Sequence, residues 1–144
     1  MLTFKREEDA LSVIKSRARV TEAVPVFLVS DIAKTMQWYM NRLGFSARAI
    51  PPSPPHSFCI MSKDDVTIFL QQLDQYVKPD LYEDREGGVW NAYLQTNDVR
   101  ELFEVVSSHP DVTIVQGLEH QDYGQTEFVI RDPNGYVLVF AQPD

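Results

Sequence analysis

The sequence lacks paired cysteines, long apolar runs and an excess of positive charge, and each absence excludes a class of protein. Cys59 is the only cysteine among 144 residues, so neither an internal disulfide nor a cysteine-only metal site can form. No stretch approaches the roughly 20 apolar residues that a membrane helix needs. The 13 basic residues are outnumbered by 21 acidic ones, giving a net charge of −8. Such a surface repels phosphate backbones, so neither nucleic acid nor a membrane is an expected partner.

The composition that remains is that of an ordinary globular domain. Hydrophobic residues make up 44% and charged residues 24%, which is enough apolar material for a core. We expect a helical N-terminal extension over residues 1–20, because Phe4, Leu11 and Ile14 lie at near-helical spacing. One domain is expected over residues 21–144. The first nine residues are too charged for a secretion signal, so a cytoplasmic location is expected.

The first half of the domain shows one strand, one helix and three further strands. The β-branched run Val24–Val29 predicts a strand buried on both faces, and Ser30 or Asp31 caps a helix that ends at Gly44. The inner side of this helix is expected to carry Ile32, Met36, Tyr39, Met40 and Leu43. Strands are predicted at residues 45–50, 57–61 and 66–71, with the prolines of residues 51–55 in a loop.

The second half repeats this order after an acidic linker over residues 72–88. Strands are predicted at residues 89–96, 112–116, 126–131 and 136–141, and a helix at residues 98–108. Val29–Ile32 is matched by Thr96–Val99 at the strand-to-helix step, and Asp65–Leu70 by Gly135–Phe140, a repeat of roughly 70 residues. The predicted class is α+β: two βαβββ modules, at about 23–72 and 89–142, form a curved mixed sheet around a cavity with helices outside.

Several phrases in this order resemble the vicinal oxygen chelate superfamily, which includes glyoxalases, extradiol dioxygenases and bleomycin-resistance proteins. The resemblance extends over about residues 23–142. It rests on Ala23–Val26, Trp38-Tyr39, Arg42–Phe45, Asp64–Leu70, Tyr123–Phe128 and Arg131–Gly135. Within the superfamily the chain is most similar to bleomycin-resistance proteins. That similarity implies a metal-free homodimer that sequesters a cationic or aromatic ligand such as an antibiotic, with Pro25 near the hinge of an exchanged N-terminal strand.

The resemblance also implies where a catalytic metal would be held. Superfamily enzymes use His, Glu or Gln at four inward positions, which correspond here to Val24, Phe69, Asn91 and Val139. Three of these side chains are hydrocarbon, and one neutral amide cannot hold a catalytic ion. We therefore expect no metal and no other cofactor, and we lean against an enzyme. His56, His109 and His120 are predicted to lie in loops or at a helix end.

Six residues are candidates for lining a ligand groove. Phe58 and Tyr123 match the positions at which bleomycin-resistance proteins sandwich the planar part of the drug, although Tyr123 stands in place of their tryptophan. Asn91 and Tyr93 alternate on one face of a predicted strand. Phe69 and Val139 are expected to make the floor apolar, which suits an organic molecule better than a hydrated ion.

Two alternatives to ligand sequestration stay open on the sequence alone. One is a metal-dependent lyase, isomerase or dioxygenase whose metal ligands lie in another register. The other is a non-enzymatic interaction module that uses the N-terminal extension to contact a partner. No phosphate-binding glycine loop or nucleophile elbow favours any further class of enzyme.

Overall fold

The computed structural model describes residues 14–144. Most of the predicted N-terminal helix therefore lies outside the described residues; Ile14 and Lys15 are helical, and residues 16–25 have no regular secondary structure. Over the described part of the chain, no helix has the length and apolar character needed to cross a membrane.

The first module contains one helix and one four-stranded sheet, sheet A. Its elements are β1 (Val26–Val29), α1 (Ile32–Leu43), β2 (Ser46–Ile50), β3 (Phe58–Lys63) and β4 (Val66–Gln72). The strand order is β1-β4-β3-β2, with β1 parallel to β4 and the other pairs antiparallel. Helix α1 begins where the Asp31 carboxylate accepts a hydrogen bond from the Lys34 N–H at 3.0 Å. It ends at Gly44, whose φ of 74° is the left-handed conformation that glycine tolerates.

The second module repeats this arrangement in sheet B. Its elements are β5 (Ala92–Gln95), α2 (Val99–Ser107), β6 (Thr113–Gln121), β7 (Gln125–Arg131) and β8 (Val137–Pro143). The strand order is β5-β8-β7-β6, again with the first pair parallel. Asp98 caps α2 as Asp31 caps α1, accepting from the Glu101 N–H at 3.1 Å. A segment over residues 73–91, here called the crossing segment, joins the modules and contains a 3-10 turn at Tyr82–Asp84.

The α+β class and the two βαβββ modules are confirmed. Three local predictions are wrong. Strand β1 is buried on one face only, since Phe27 and Val29 lie in the core while Val26 is 47% exposed. Strand β6 continues to Gln121, so His120 lies in a strand rather than a loop, because β7 pairs with β6 as far as Gln121, across two irregularities in the ladder. Met40 is 40% exposed, and Thr35 is buried in its place on α1. The Thr35 hydroxyl is satisfied there, since it donates to the Asp31 carbonyl and accepts from Asn134 Nδ2.

The two modules share one hydrophobic core. This core combines the helix-covered side of sheet A with that of sheet B, and the ring of Phe27 stacks on that of Tyr136 with centroids 4.1 Å apart. No ladder joins the two sheets within residues 14–144, so one chain does not close a continuous curved sheet. The side of each sheet that turns away from its helix, here called the open face, lies outside this shared core.

Asp132 is the polar contact at the centre of the joint between the modules. Its side chain is 5% exposed, and its carboxylate accepts hydrogen bonds from the Tyr39 hydroxyl at 2.7 Å and the Tyr136 N–H at 2.9 Å. The Asn134 N–H donates a third bond at 2.8 Å. Burial raises the pKa of the Asp132 carboxyl, and burial beside that carboxylate raises the pKa of Tyr39. The Tyr39 bond ties the last hairpin of module two to the helix of module one, and the two N–H bonds hold the hairpin turn itself.

Candidate functional site

The open face of sheet B carries a buried carboxylate held by two tyrosines. Glu127 is 1% exposed. The Tyr93 hydroxyl donates to one of its oxygens at 2.5 Å, and the Tyr123 hydroxyl donates to the other at 2.6 Å. Both tyrosines reach solvent, with 37% and 57% of their surfaces exposed. The site is therefore a buried negative charge behind two accessible aromatic rings.

Strand register brings these residues together. Tyr93 on β5 lies opposite Val139 on β8, and Glu127 on β7 lies opposite Ala141, two residues further along β8. Residues directly opposite one another in a ladder, and alternate residues along a strand, share a face. Tyr123 lies in the turn between β6 and β7, from which its side chain reaches back to Glu127.

The crossing segment covers part of the same face. Tyr82 packs against the buried cluster of Val129, Val137 and Val139. The guanidinium of Arg131 lies 5.3 Å from the centre of the Tyr82 ring. The backbone of Gly88, with φ of 90°, lies so close to that ring that a Cβ there would collide with it. The apolar floor of sheet B is thus already occupied by Tyr82, and the accessible part of the face is the region around Tyr93.

Trp90, at the end of the crossing segment, extends the aromatic surface. Its ring centre lies 5.5 Å from that of Tyr93, with an angle of 35° between the ring planes. The indole is 37% exposed, as is Tyr93. Trp90, Tyr93, Tyr123 and Glu127 are together called the aromatic–carboxylate cluster below.

The cluster changes the ionisation of its phenols. Burial, followed by the hydrogen bond to Glu127, raises the pKa of Tyr123 to about 12. The same causes in the same order raise the pKa of Tyr93 still further above its ordinary value. Both hydroxyls therefore remain protonated, and remain donors to the carboxylate, throughout the neutral range.

We predict that Glu127→Gln moves part of the tyrosine ionisation to lower pH. The substitution removes the carboxylate charge beside Tyr93 and Tyr123 while leaving their burial, so their pKa values fall only part of the way. Tyrosinate absorbance recorded against pH measures this, with Glu104→Gln on α2 as the matched control. In the folded protein the pKa values of Tyr93 and Tyr123 exceed the ordinary value of 10.0. The contribution of these two phenols to folding stability is therefore fully present below pH 10 and is lost as the pH rises through their folded pKa values. Superimposable titration curves for wild type and Glu127→Gln would contradict the prediction.

The six residues predicted to line a groove fall on two different sheets. Phe58 and Phe69 lie on the open face of sheet A, where their rings meet edge to face with centroids 5.1 Å apart. Tyr93, Tyr123 and Val139 lie at the open face of sheet B. Val139 is fully buried among Val129, Val137 and Tyr82, so it belongs to the floor of that face.

Asn91 and the other three positions implied for a metal do not fit a metal site. The Asn91 amide oxygen accepts a hydrogen bond from the Val137 N–H at 2.8 Å, closing the start of the β5–β8 pair. Val24, Phe69 and Val139 carry no donor atom. Within the part of the chain that the structure describes, no three His, Cys, Asp or Glu side chains are grouped as metal ligands. The residues present therefore do not support a step that runs through a metal.

A large cleft lies elsewhere, between the modules on their helix side. Its volume is about 1030 Å³ and it is bordered by α1, α2 and the turn between β3 and β4. None of the six predicted residues lines it. The equivalent space in the other module is filled by the hairpin turn that carries Asp132, so the pseudo-symmetry of the modules is broken here.

Glu127 was missed by the sequence analysis. A signal was present, because Glu127 is the single charged residue within the strand sequence Thr126–Ile130. A lone acidic residue in a strand that is otherwise mostly apolar must find hydrogen-bond donors when it is buried. The donors come from β5 and from the β6–β7 turn, which only the fold places beside it.

Comparison with known proteins adds a family and a set of similar structures. Residues 21–140 match the model for the Glyoxalase/Bleomycin resistance protein/Dioxygenase superfamily. No curated protein sequence matches the chain.

The similar solved structures include a glyoxalase-related enzyme and a bleomycin-binding protein. A glyoxalase-related enzyme from Clostridium phytofermentans has a TM-score of 0.70 at 16% identity, covering 90% of this chain and 100% of its own. The bleomycin-binding protein from bleomycin-producing Streptomyces verticillus, complexed with copper(II)-bleomycin, has a TM-score of 0.64 at 17% identity. The match covers 88% of this chain and 99% of the bleomycin-binding protein. TioX from Micromonospora sp. ML1 has a TM-score of 0.65 at 17% identity, covering 86% of this chain and 97% of its own. At these identities the likeness shows the fold alone.

Proposed function

This chain belongs to the glyoxalase/bleomycin resistance protein/dioxygenase superfamily, and from that premise we propose that it sequesters a small organic molecule, cationic or aromatic, without a metal and without chemistry. The observation that carries the proposal is the aromatic–carboxylate cluster, which offers rings and hydrogen-bonding groups at a sheet face. The positions that would hold a catalytic metal supply no donor set. A bleomycin-like drug is the first ligand class to test, since a bleomycin-binding protein shares the fold.

We also propose that two copies of the chain assemble to complete the groove. The open face of sheet A carries apolar side chains that are partly exposed: Val26, Leu28, Phe58, Ile60 and Phe69. Gln71 and Arg48 share this face, but Val26, Phe69, Ile60 and Phe58 are neighbours in the ladder. An exposed apolar patch of this kind is typical of an interaction surface. Sheet B offers the complementary wall with tyrosine hydroxyls and the Glu127 carboxylate. A two-fold dimer that places sheet A of one copy against sheet B of the other makes two identical grooves, each apolar on one side.

The proposed exchange of an N-terminal strand concerns residues before Pro25. In the single chain, β1 pairs with its own β4, and the Phe69 N–H donates to the Pro25 carbonyl at 2.9 Å. Residues 16–22 are exposed and irregular, and Val20 is 98% exposed. This stretch is therefore available to lie along a second copy. A cytoplasmic location is part of the proposal, because the single thiol, Cys59, is free and buried.

The proposed function predicts saturable binding of bleomycin by metal-stripped protein. Titration calorimetry is expected to show one ligand per chain, because a two-fold dimer has two grooves. Phe58→Ala and Tyr123→Ala are each expected to weaken binding about three- to tenfold, the value of one aromatic stacking contact. Val105→Ala serves as the control, since Val105 is 54% exposed on α2 and lies outside the proposed groove.

The outcomes separate the proposal from its competitors. Absence of heat and of any shift in melting temperature would remove bleomycin-like drugs as ligands. Stoichiometric metal in the purified protein, together with turnover that a chelator abolishes, would replace sequestration by metal-dependent catalysis. Equal weakening by Val105→Ala and by the two groove variants would place the ligand away from the sheet faces.

A further inference from the structure

We infer that the aromatic–carboxylate cluster is a binding site for an organic ammonium ion, held over the exposed rings of Trp90, Tyr93 and Tyr123 with Glu127 as its counter-charge. The inference rests on the proposed function, and it names the chemical class of ligand that the open face of sheet B selects. It does not depend on the ligand being a drug, nor on the dimer.

The first argument is the charge of Glu127. A buried carboxylate is stable when hydrogen bonds and an opposite charge compensate for its lost hydration. Two phenol hydroxyls supply the hydrogen bonds, but no ion pair to Glu127 occurs anywhere in residues 14–144. Glu119 lies directly opposite Glu127 in the β6–β7 ladder and adds a second negative charge. The cluster therefore has a negative potential that a cation from outside would neutralise.

The second argument is the state of the two phenols. A phenol that donates to a carboxylate is polarised toward phenolate, which increases the negative charge on the face of its ring. Tyr93 and Tyr123 both donate to Glu127, and both expose part of their rings. A cation over an aromatic face is attracted by that charge. The buried carboxylate thus acts through the rings, and the ligand need not reach its oxygens.

The third argument selects an organic cation over a metal ion. Trp90 supplies an exposed indole, the aromatic group that binds cations best, beside the ring of Tyr93. Ring faces do not ligate a metal ion, which needs several oxygen, nitrogen or sulfur donors. An alkylated ammonium combines positive charge with apolar surface, and it matches a wall built from three rings and one carboxylate.

Arg85 lies in the crossing segment, and its charge acts on this site. Its charge lowers the pKa of Tyr123, against the larger upward effects of burial and Glu127. Its guanidinium donates to the Gly88 carbonyl at 3.2 Å and forms no ion pair with Glu127 or Glu119. Arg85 thus competes weakly for the negative potential of the cluster. Its removal should strengthen the binding of an external cation.

The test compares a charged ligand with its neutral isostere. Choline and 3,3-dimethyl-1-butanol have the same shape, but the quaternary nitrogen of the first is a carbon atom in the second. Titrated into the full-length protein and followed by calorimetry, choline is expected to bind at one site per chain, about tenfold or more tightly than the alcohol. Glu127→Gln is expected to reduce that preference about tenfold, and Arg85→Gln to tighten choline binding about two- to fivefold.

Glu127→Gln and Arg85→Gln are expected to change choline binding in opposite directions, which separates an effect on binding from an effect on folding. A folding defect weakens binding, so tighter binding by Arg85→Gln cannot result from one. Equal affinity for choline and the alcohol would overturn the inference while leaving organic-ligand binding intact. An unchanged choline preference in Glu127→Gln, with an unchanged thermal melt, would also overturn it. If neither probe binds but bleomycin does, the ammonium site is wrong and the proposed function stands.

Discussion

Asp132→Ala is expected to lower the free energy of unfolding by about 3–5 kcal/mol, because three donors, two of them buried, lose their acceptor together. The donors are the Tyr39 hydroxyl and the N–H groups of Asn134 and Tyr136. The total free energy of unfolding of a domain of this size is about 5–15 kcal/mol, so this loss is a large fraction of it. Urea denaturation followed by circular dichroism measures the loss.

Two further variants show whether the loss comes from the joint between the modules. Tyr39→Phe removes one donor and leaves Asp132 with two, so a loss of about 1–3 kcal/mol is expected. Asp111→Ala removes an exposed aspartate that pairs with Arg42 across the same two modules, and little change in the midpoint is expected. If Asp132→Ala were no worse than Asp111→Ala, the buried joint would not hold the modules together.

Phe69→Asp is expected to convert the proposed dimer into a monomer. Phe69 lies on the open face of sheet A, where it contacts Phe58, and a carboxylate there would be desolvated against the second copy. Loss of one central aromatic residue from an interface costs at least about 2 kcal/mol, or about thirtyfold in the dissociation constant, and the new charge adds to this. Sedimentation equilibrium over a range of concentrations measures the change.

Val105→Asp is the control for the dimer experiment. Val105 is exposed on α2, on the helix side of the molecule, and the same charge there should leave assembly unchanged. Dissociation by Val105→Asp and not by Phe69→Asp would move the interface to the helix-side cleft. A wild-type protein that remains monomeric at all concentrations would remove the dimer from the proposed function, and the groove would then consist of sheet B alone.

Local rules were sufficient to predict much of the fold. Asp31 and Asp98 each cap a helix because a carboxylate next to a strand end can reach the free N–H groups of the first turn. Gly44 ends α1 because the chain must adopt a positive φ there. The turn after β7 is set by the side chain of Asp132, which bonds N–H groups two and four residues ahead. Each of these effects operates within a few residues of sequence.

The same rules failed where the deciding contact was distant. Met40 has the correct spacing for the inner side of α1, yet Thr35 is buried there, because Asn134 of the other module bonds its hydroxyl. Asn91 has the correct spacing for an open sheet face, but its amide is taken up by the backbone of β8. His120 lies in β6, which the sequence alone would end at residue 116; pairing with β7 extends the strand to Gln121.

The sequence by itself determined the α+β class, the two modules and the helix caps, because repeats, alternation and caps are properties of neighbouring residues. Only the tertiary structure decided that Tyr93 and Tyr123 meet on Glu127, which lies 34 residues from the first and 4 from the second. It also decided that Phe58 and Phe69 lie on a different sheet from these tyrosines. The physical reason is that strand register and the path of the crossing segment depend on how much surface the whole chain can bury, which no local pattern specifies.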